Sequence, residues 1–169
     1  MRLVSSDVGY RRTGDEFVRG KKRINGEINM AKRIFISFDY DHDRNYRYLL
    51  SALASNPRSD INFDDCTPEE IQSYDIPRIK AVLTRKIREA THILVIIGSH
   101  ANSYHKDREE IGERNWQWWE IKKGISEHKG FIAVKIERSN PTPDPLYGID
   151  ASWAMSYTVD SILNAIDEA

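Results

Sequence analysis

The sequence predicts one α/β domain on a parallel sheet with helices covering both faces. Three observations carry this reading. Strand-length apolar runs alternate with amphipathic helical patterns from Arg33 to the end of the chain. The two strongest runs, Ile34 to Phe38 and Ile93 to Gly98, lack the in-and-out alternation of a half-solvated strand, as a strand buried on both faces should. The length of 169 residues fits one domain with one real core.

Taken in order, the first 29 residues differ from the rest: they hold seven Lys/Arg against four Asp/Glu, several glycines and no hydrophobic period. Residues 1–29 are therefore expected to be a flexible basic extension, with the domain spanning 30–169. The extension lacks the apolar core of an export signal, and Met30, just ahead of the first strand, is a candidate natural start. Ile34 to Phe38 forms that strand. Asp41 or Asp43 then caps a helix whose Tyr46, Leu49, Leu50 and Leu53 share a face, and Asn56-Pro57 ends it. A short second strand at Ile61 to Phe63 leads into a polar loop from Asp64 to Asp75. Pro77 suits the first turn of a helix with the stripe Ile79, Leu83, Ile87 and Ala90.

Ile93 to Gly98 reads as the central strand, and Ser99 to Arg114 as a long polar loop. A tryptophan-rich helix from about Asn115 to His128 follows, then a fourth strand from Phe131 to Ile136. Three prolines between Asn140 and Pro145 mark a loop, Trp153 to Tyr157 a fifth strand, and Val159, Ile162, Leu163 and Ile166 a last helix. Right-handed crossovers arrange such units as a flavodoxin-like three-layer sandwich, its five parallel strands in the order 2-1-3-4-5. Ligands of such sheets bind beyond the carboxyl ends where winding reverses, here between the first and third strands. That brings Ser37 to Asp41 near Gly98 to Asn102.

Composition narrows the function. The chain is 40% hydrophobic and 30% charged, with no apolar run near the ~18 residues of a membrane span. A net charge of −1 argues against a dedicated nucleic-acid binder. The single cysteine, Cys66, excludes an internal disulfide and has no assignable base, so an inert thiol in the cytoplasm is expected. His42, His92, His100, His105 and His128 form no ligand spacing and read as solvated. The acidic run Asp39-Tyr40-Asp41-His42-Asp43 permits magnesium, but no downstream acidic pair completes a site, and a polar loop ending in a helix cap explains it better. No metal is expected.

Trp116-Gln117-Trp118-Trp119-Glu120-Ile121 carries more information. Trp119 and Ile121 read as core. Glu120 follows Trp116 by one helical turn, and a carboxyl among tryptophans is poorly solvated, which raises its pKa and marks a functional candidate.

Arg33 to Phe38, the acidic loop after it, Ile93 to Ser99, and Trp116-x-x-x-Glu120-Ile121 together resemble the TIR-like domains of the bacterial Thoeris antiphage system, the ThsB-type proteins. The resemblance runs from Met30 to about Ile136. It implies cleavage of NAD between nicotinamide and ribose, with NAD as substrate and no cofactor. The ADP-ribose moiety would become a signalling nucleotide, often cyclic, that acts on a separate effector protein. The family's catalytic glutamate falls on Glu120. Phe38 and Asp39 fall where the family lines its nucleotide crevice, with Tyr40, Ser99 and Trp116 beside them. A phage-derived trigger and self-association are further expectations. The stretch between Ser99 and Trp116 is longer than is usual in the family. Two other readings stay open: a non-catalytic TIR-like interaction module working through surface loops such as Asp64 to Asp75, and another small flavodoxin-like enzyme, a nucleoside transferase or metal-dependent phosphohydrolase.

Overall fold

The computed structural model describes residues 21–24, 27–30, 32–54 and 75–169, with side chains described over 32–52 and 75–169. The chain divides into Met1–Ala31 and Lys32–Ala169. In the first unit β1 (Lys21–Ile24) and β2 (Glu27–Met30) pair antiparallel, with Lys21 opposite Met30 and Ile24 opposite Glu27.

The second unit is built on a four-stranded sheet, β3 (Ile34–Ser37), β4 (His92–Ile97), β5 (Gly130–Lys135) and β6 (Ala151–Ala154), side by side in that order and all parallel. These are the first, third, fourth and fifth strands expected from the sequence. The expected second strand, Ile61 to Phe63, lies outside the described residues, as do Cys66 and the loop from Asp64 to Tyr74. Side-chain alternation along each strand feeds two cores. Ile34, Ile36, Phe38, Leu94, Ile96, Ile132 and Val134 face helix α1 (Tyr40–Ala54) and helix α5 (Val159–Glu168) through Leu50, Ile162 and Ile166. Phe35, Ile93, Val95, Ile97, Phe131 and Ala133 face helix α2 (Ile76–Glu89) and helix α4 (Trp116–Ser126) through Leu83, Ile87 and Ile121. β4 is apolar from Ile93 to Ile97 because both its faces are covered there.

Several expectations are corrected in detail. Asp39, rather than Asp41 or Asp43, caps α1: its carboxylate accepts from the backbone N–H of Asp41 at 3.0 Å and of His42 at 3.1 Å. Leu49, expected on the inner face of α1, is 58% exposed. The loop after β4 contains a one-turn helix α3 (Arg108–Ile111), closed by Gly112 in the left-handed conformation and anchored by the buried Ile111. A 3₁₀ turn, Asp144–Leu146, interrupts the proline-rich loop, with proline in its first turn where the missing N–H has no cost. The last strand runs over Ala151–Ala154 instead of Trp153 to Tyr157, because pairing with β5 sets Ala151 opposite Phe131 and Ala154 opposite Val134. Among the described residues no helix is long and apolar enough to cross a membrane.

α4 lies close against the sheet because Gly124 has no side chain. A Cβ there would stand 2.1 Å from Ile93 Cδ1 and 3.0 Å from Phe131 Cζ, both in the core. Gly124→Ala should therefore destabilise the chain by about 1–3 kcal/mol despite the better helix propensity of alanine. Urea unfolding at unchanged slope measures this, and an equal or higher midpoint would contradict the packing described.

Candidate active site

Ser37 is the one polar residue of β3. By alternation it faces the α2/α4 side, in a row with Val95 and Ala133. Its neighbour across that face is Glu120 of α4. The Ser37 hydroxyl donates to Glu120 Oε2 at 2.6 Å, with Ser37 fully buried and Glu120 5% exposed. Burial pushes the Glu120 carboxyl up to about 8, against the smaller downward pull of the Ser37 hydroxyl. The carboxyl therefore holds its proton at neutral pH in the ligand-free chain.

One turn earlier on the same helix face, Gln117 closes the end of the sheet. Its amide nitrogen donates to the carbonyls of Ile96 at 2.8 Å and Ser37 at 3.4 Å. The described ladder between β3 and β4 ends at Ser37 and Val95, and Gln117 satisfies carbonyls just past that end. Its own carbonyl oxygen is buried without a hydrogen-bond partner. The α4 N-terminus is set by Asn115, whose side chain accepts from Trp118 N–H at 2.9 Å and donates to the carbonyls of Ala101 and Ser103.

A second polar cluster sits where α1 begins and β4 ends. Asp39 holds His42 Nδ1 at 3.0 Å, and the His42 ring stacks on His100 at a centroid distance of 3.7 Å. Ser99 Oγ lies 3.0 Å from His100 Nδ1. Asp43 points inward: it is 5% exposed, Oδ2 has no hydrogen-bond partner, and burial with the nearby Asp39 charge pushes its carboxyl up to about 6. Gly98 makes room for it, since a Cβ at that position would stand 2.2 Å from Asp43 Oδ2. Hydrogen bonding to Asp39 holds His42 above its ordinary value. Among the described residues no three His, Cys, Asp or Glu side chains form a group that holds a metal ion.

Beside these groups lies a cleft of about 540 Å³, lined by Tyr40, Ile76, Ile79, His105, Lys106, Asp107, Glu110 and Trp116. Its volume suits a small organic ligand. Trp116 is half-buried and meets Trp119 edge to face at 6.0 Å.

Of the residues singled out in the sequence, Tyr40 and Trp116 line this cleft. Glu120 does not line it; the carboxyl turns to Ser37 one helical turn behind Trp116. Phe38 packs its ring in the core at 9% exposure, 6.3 Å from Tyr40 between centroids. Asp39 serves as helix cap, and Ser99 is exposed at the strand end. Phe38 and Ser99 nevertheless follow adjacent parallel strands at the same edge, as the sheet order requires. His42 and His100, expected to be solvated, are both exposed, and their rings stack on one another. Ser37, Gln117 and the inward role of Asp43 were not singled out as site residues. The signal for Ser37 is its polarity within the apolar run Ile34 to Phe38, and that for Gln117 its place between two tryptophans.

The sheet, its two helical layers and a buried glutamate one turn after a cleft-lining tryptophan define a TIR-like α/β domain. The chain belongs to the family described as Thoeris protein ThsB, TIR-like domain, which it matches over residues 35–141, well over half its length. No curated protein matches it.

Because the folded chain raises the Glu120 pKa from 4.5 to about 8, the resulting stability is fully present below about 4.5 and is lost as pH rises through about 8. Glu120→Gln removes that dependence. Urea unfolding of both proteins should show their stability difference moving in favour of the variant, by an order of a few kcal/mol, across that interval. Parallel pH curves would mean that Glu120 ionises as it does in the unfolded chain.

Proposed function

We propose that this domain cleaves NAD at the bond between nicotinamide and ribose and turns the ADP-ribose moiety into a signalling nucleotide, cyclic in form, in antiphage defence. The observation that carries the reading is Glu120, a carboxyl removed from water on α4, one turn from the aromatic wall of a cleft that suits a small molecule. Family membership supports the defence role. This reading keeps the five-stranded order 2-1-3-4-5 expected from the sequence.

A single carboxylate suits the chemistry. Ordinary glycosidases use two because their leaving group needs a proton. Nicotinamide leaves from a cationic pyridinium and departs neutral, so no general acid is required. The positive ring approaching Glu120 favours the ionised carboxylate, offsetting the burial that keeps it protonated in the free chain. That carboxylate then bonds the ribose hydroxyls and stabilises positive charge developing at the anomeric carbon. Tyr40 and Trp116 provide flat walls for the rings, and Phe38, Asp39 and Ser99 shape the strand ends of the crevice. Attack by an adenine nitrogen or an adenosine hydroxyl closes a cyclic product; attack by water gives ADP-ribose. NAD is the substrate, and no cofactor is needed. The product acts on a separate effector protein in the cytoplasm, with a phage-derived trigger and self-association controlling output.

One observation favours a second reading, a non-catalytic TIR-like interaction module: Glu120 is hydrogen-bonded inward and does not line the cleft. Purified chain incubated with NAD, with and without phage components, separates the two through chromatographic detection of nicotinamide. Glu120→Gln keeps the shape and removes the charge, so nicotinamide release should fall roughly 100–1,000-fold. Equal release by an active wild type and by the variant would remove Glu120 from the mechanism.

A further inference from the structure

We propose that Ser37 is the positioning residue for Glu120, its hydroxyl fixing where the carboxyl points and stabilising its charged form. The catalytic consequence rests on the NAD-cleaving reading. The inference about the carboxyl itself stands on geometry alone.

Ser37 is placed to do this by the sheet. It is fully buried on the last paired residue of β3, its backbone in register with Val95 and its carbonyl held by the Gln117 amide. A hydroxyl on a pinned strand end is a better-defined donor than one on a loop. The next two residues in its row, Val95 and Ala133, offer no polar side chain, and Trp153 follows only on the far strand β6, so Ser37 is the donor that this end of the row presents to a carboxyl arriving from α4. Its bond to Glu120 joins residues 83 positions apart and ties β3 to α4 at the sheet's carboxyl edge.

Electrostatics point the same way. Two influences act on Glu120: burial, which disfavours its charge, and the Ser37 hydrogen bond, which favours it. Among the described residues no charged group enters that balance. Asp39, His42 and Asp43 on the α1 side and His100 after β4 act on one another instead. Lys122 and Lys123 on α4 itself pair with Glu113 and Glu127. Without the hydroxyl, no described side chain would oppose the burial that keeps Glu120 neutral, the approaching pyridinium would act against it alone, and a neutral acid cannot stabilise a ribosyl cation.

The test compares wild type, Ser37→Ala, Ser37→Cys and Glu120→Gln, all carrying glutamate labelled with ¹³C at the side-chain carboxyl. The NMR signal missing from Glu120→Gln assigns residue 120. In Ser37→Ala its titration midpoint should rise by about one pH unit. Nicotinamide release near neutral pH should fall about tenfold, while the high-pH plateau stays within about twofold. An unmoved midpoint overturns the inference, as does an active enzyme whose rate falls equally at every pH, which a merely structural serine would give. If the midpoint rises but neither protein releases nicotinamide with phage components present, the positioning role stands and the NAD reading falls. Should Ser37→Ala not fold, Ser37→Cys, which keeps the volume but donates weakly, makes the same comparison with the same expected shift.

Discussion

A carboxylic acid at the end of an apolar parallel sheet has little water, so whatever donor the sheet offers decides its direction and charge. Here that donor is Ser37. The rest of the site is arranged around this contact. Alternation along β3 puts Ser37 on the α4 side while Ile34, Ile36 and Phe38 go to the opposite core. Gln117 satisfies the carbonyls of Ser37 and Ile96 that the described ladder leaves open, which anchors α4 where Glu120 can reach the strand end. Gly124 lets the following turn of the same helix lie against Ile93 and Phe131. Each of these features acts on the placement of α4.

Three strands, β3, β4 and β5, were legible because they are buried on both faces and so read as apolar runs; β4 is the plainest case. Cap positions were less legible. Asp39, Asp41 and Asp43 are all good N-cap residues, and sequence chemistry does not rank them. The structure uses Asp39, and that choice turns Asp43 inward against Gly98. The last strand was displaced for a related reason. The tryptophan and tyrosine between Trp153 and Tyr157 suggest β structure, but it is Ala151–Ala154 that pairs with β5. Trp153 stays 36% exposed, while Ser152 turns its hydroxyl to the Ala165 carbonyl of α5.

The candidate site was legible in part. A glutamate one turn after a tryptophan marked Glu120, and its expected shortage of water agrees with 5% exposure. Its partner was not, since Ser37 lies 83 residues away and only the folded register brings the two together. The aromatic wall was half found: Tyr40 and Trp116 line the cleft, but Lys106 and His105 join them only because the loop after β4 folds back through α3.

In the proposed reaction Glu120 meets the ribose of NAD while Ser37 holds the same carboxyl from the sheet side. A crystal structure of Glu120→Gln with NAD tests this most directly. The ribose hydroxyls next to the nicotinamide should lie within hydrogen-bonding reach of the residue 120 side chain, about 3 Å, with the cleft occupied beside Trp116 and Tyr40. NAD bound elsewhere, or bound in the cleft with the ribose out of reach of residue 120, would contradict this role.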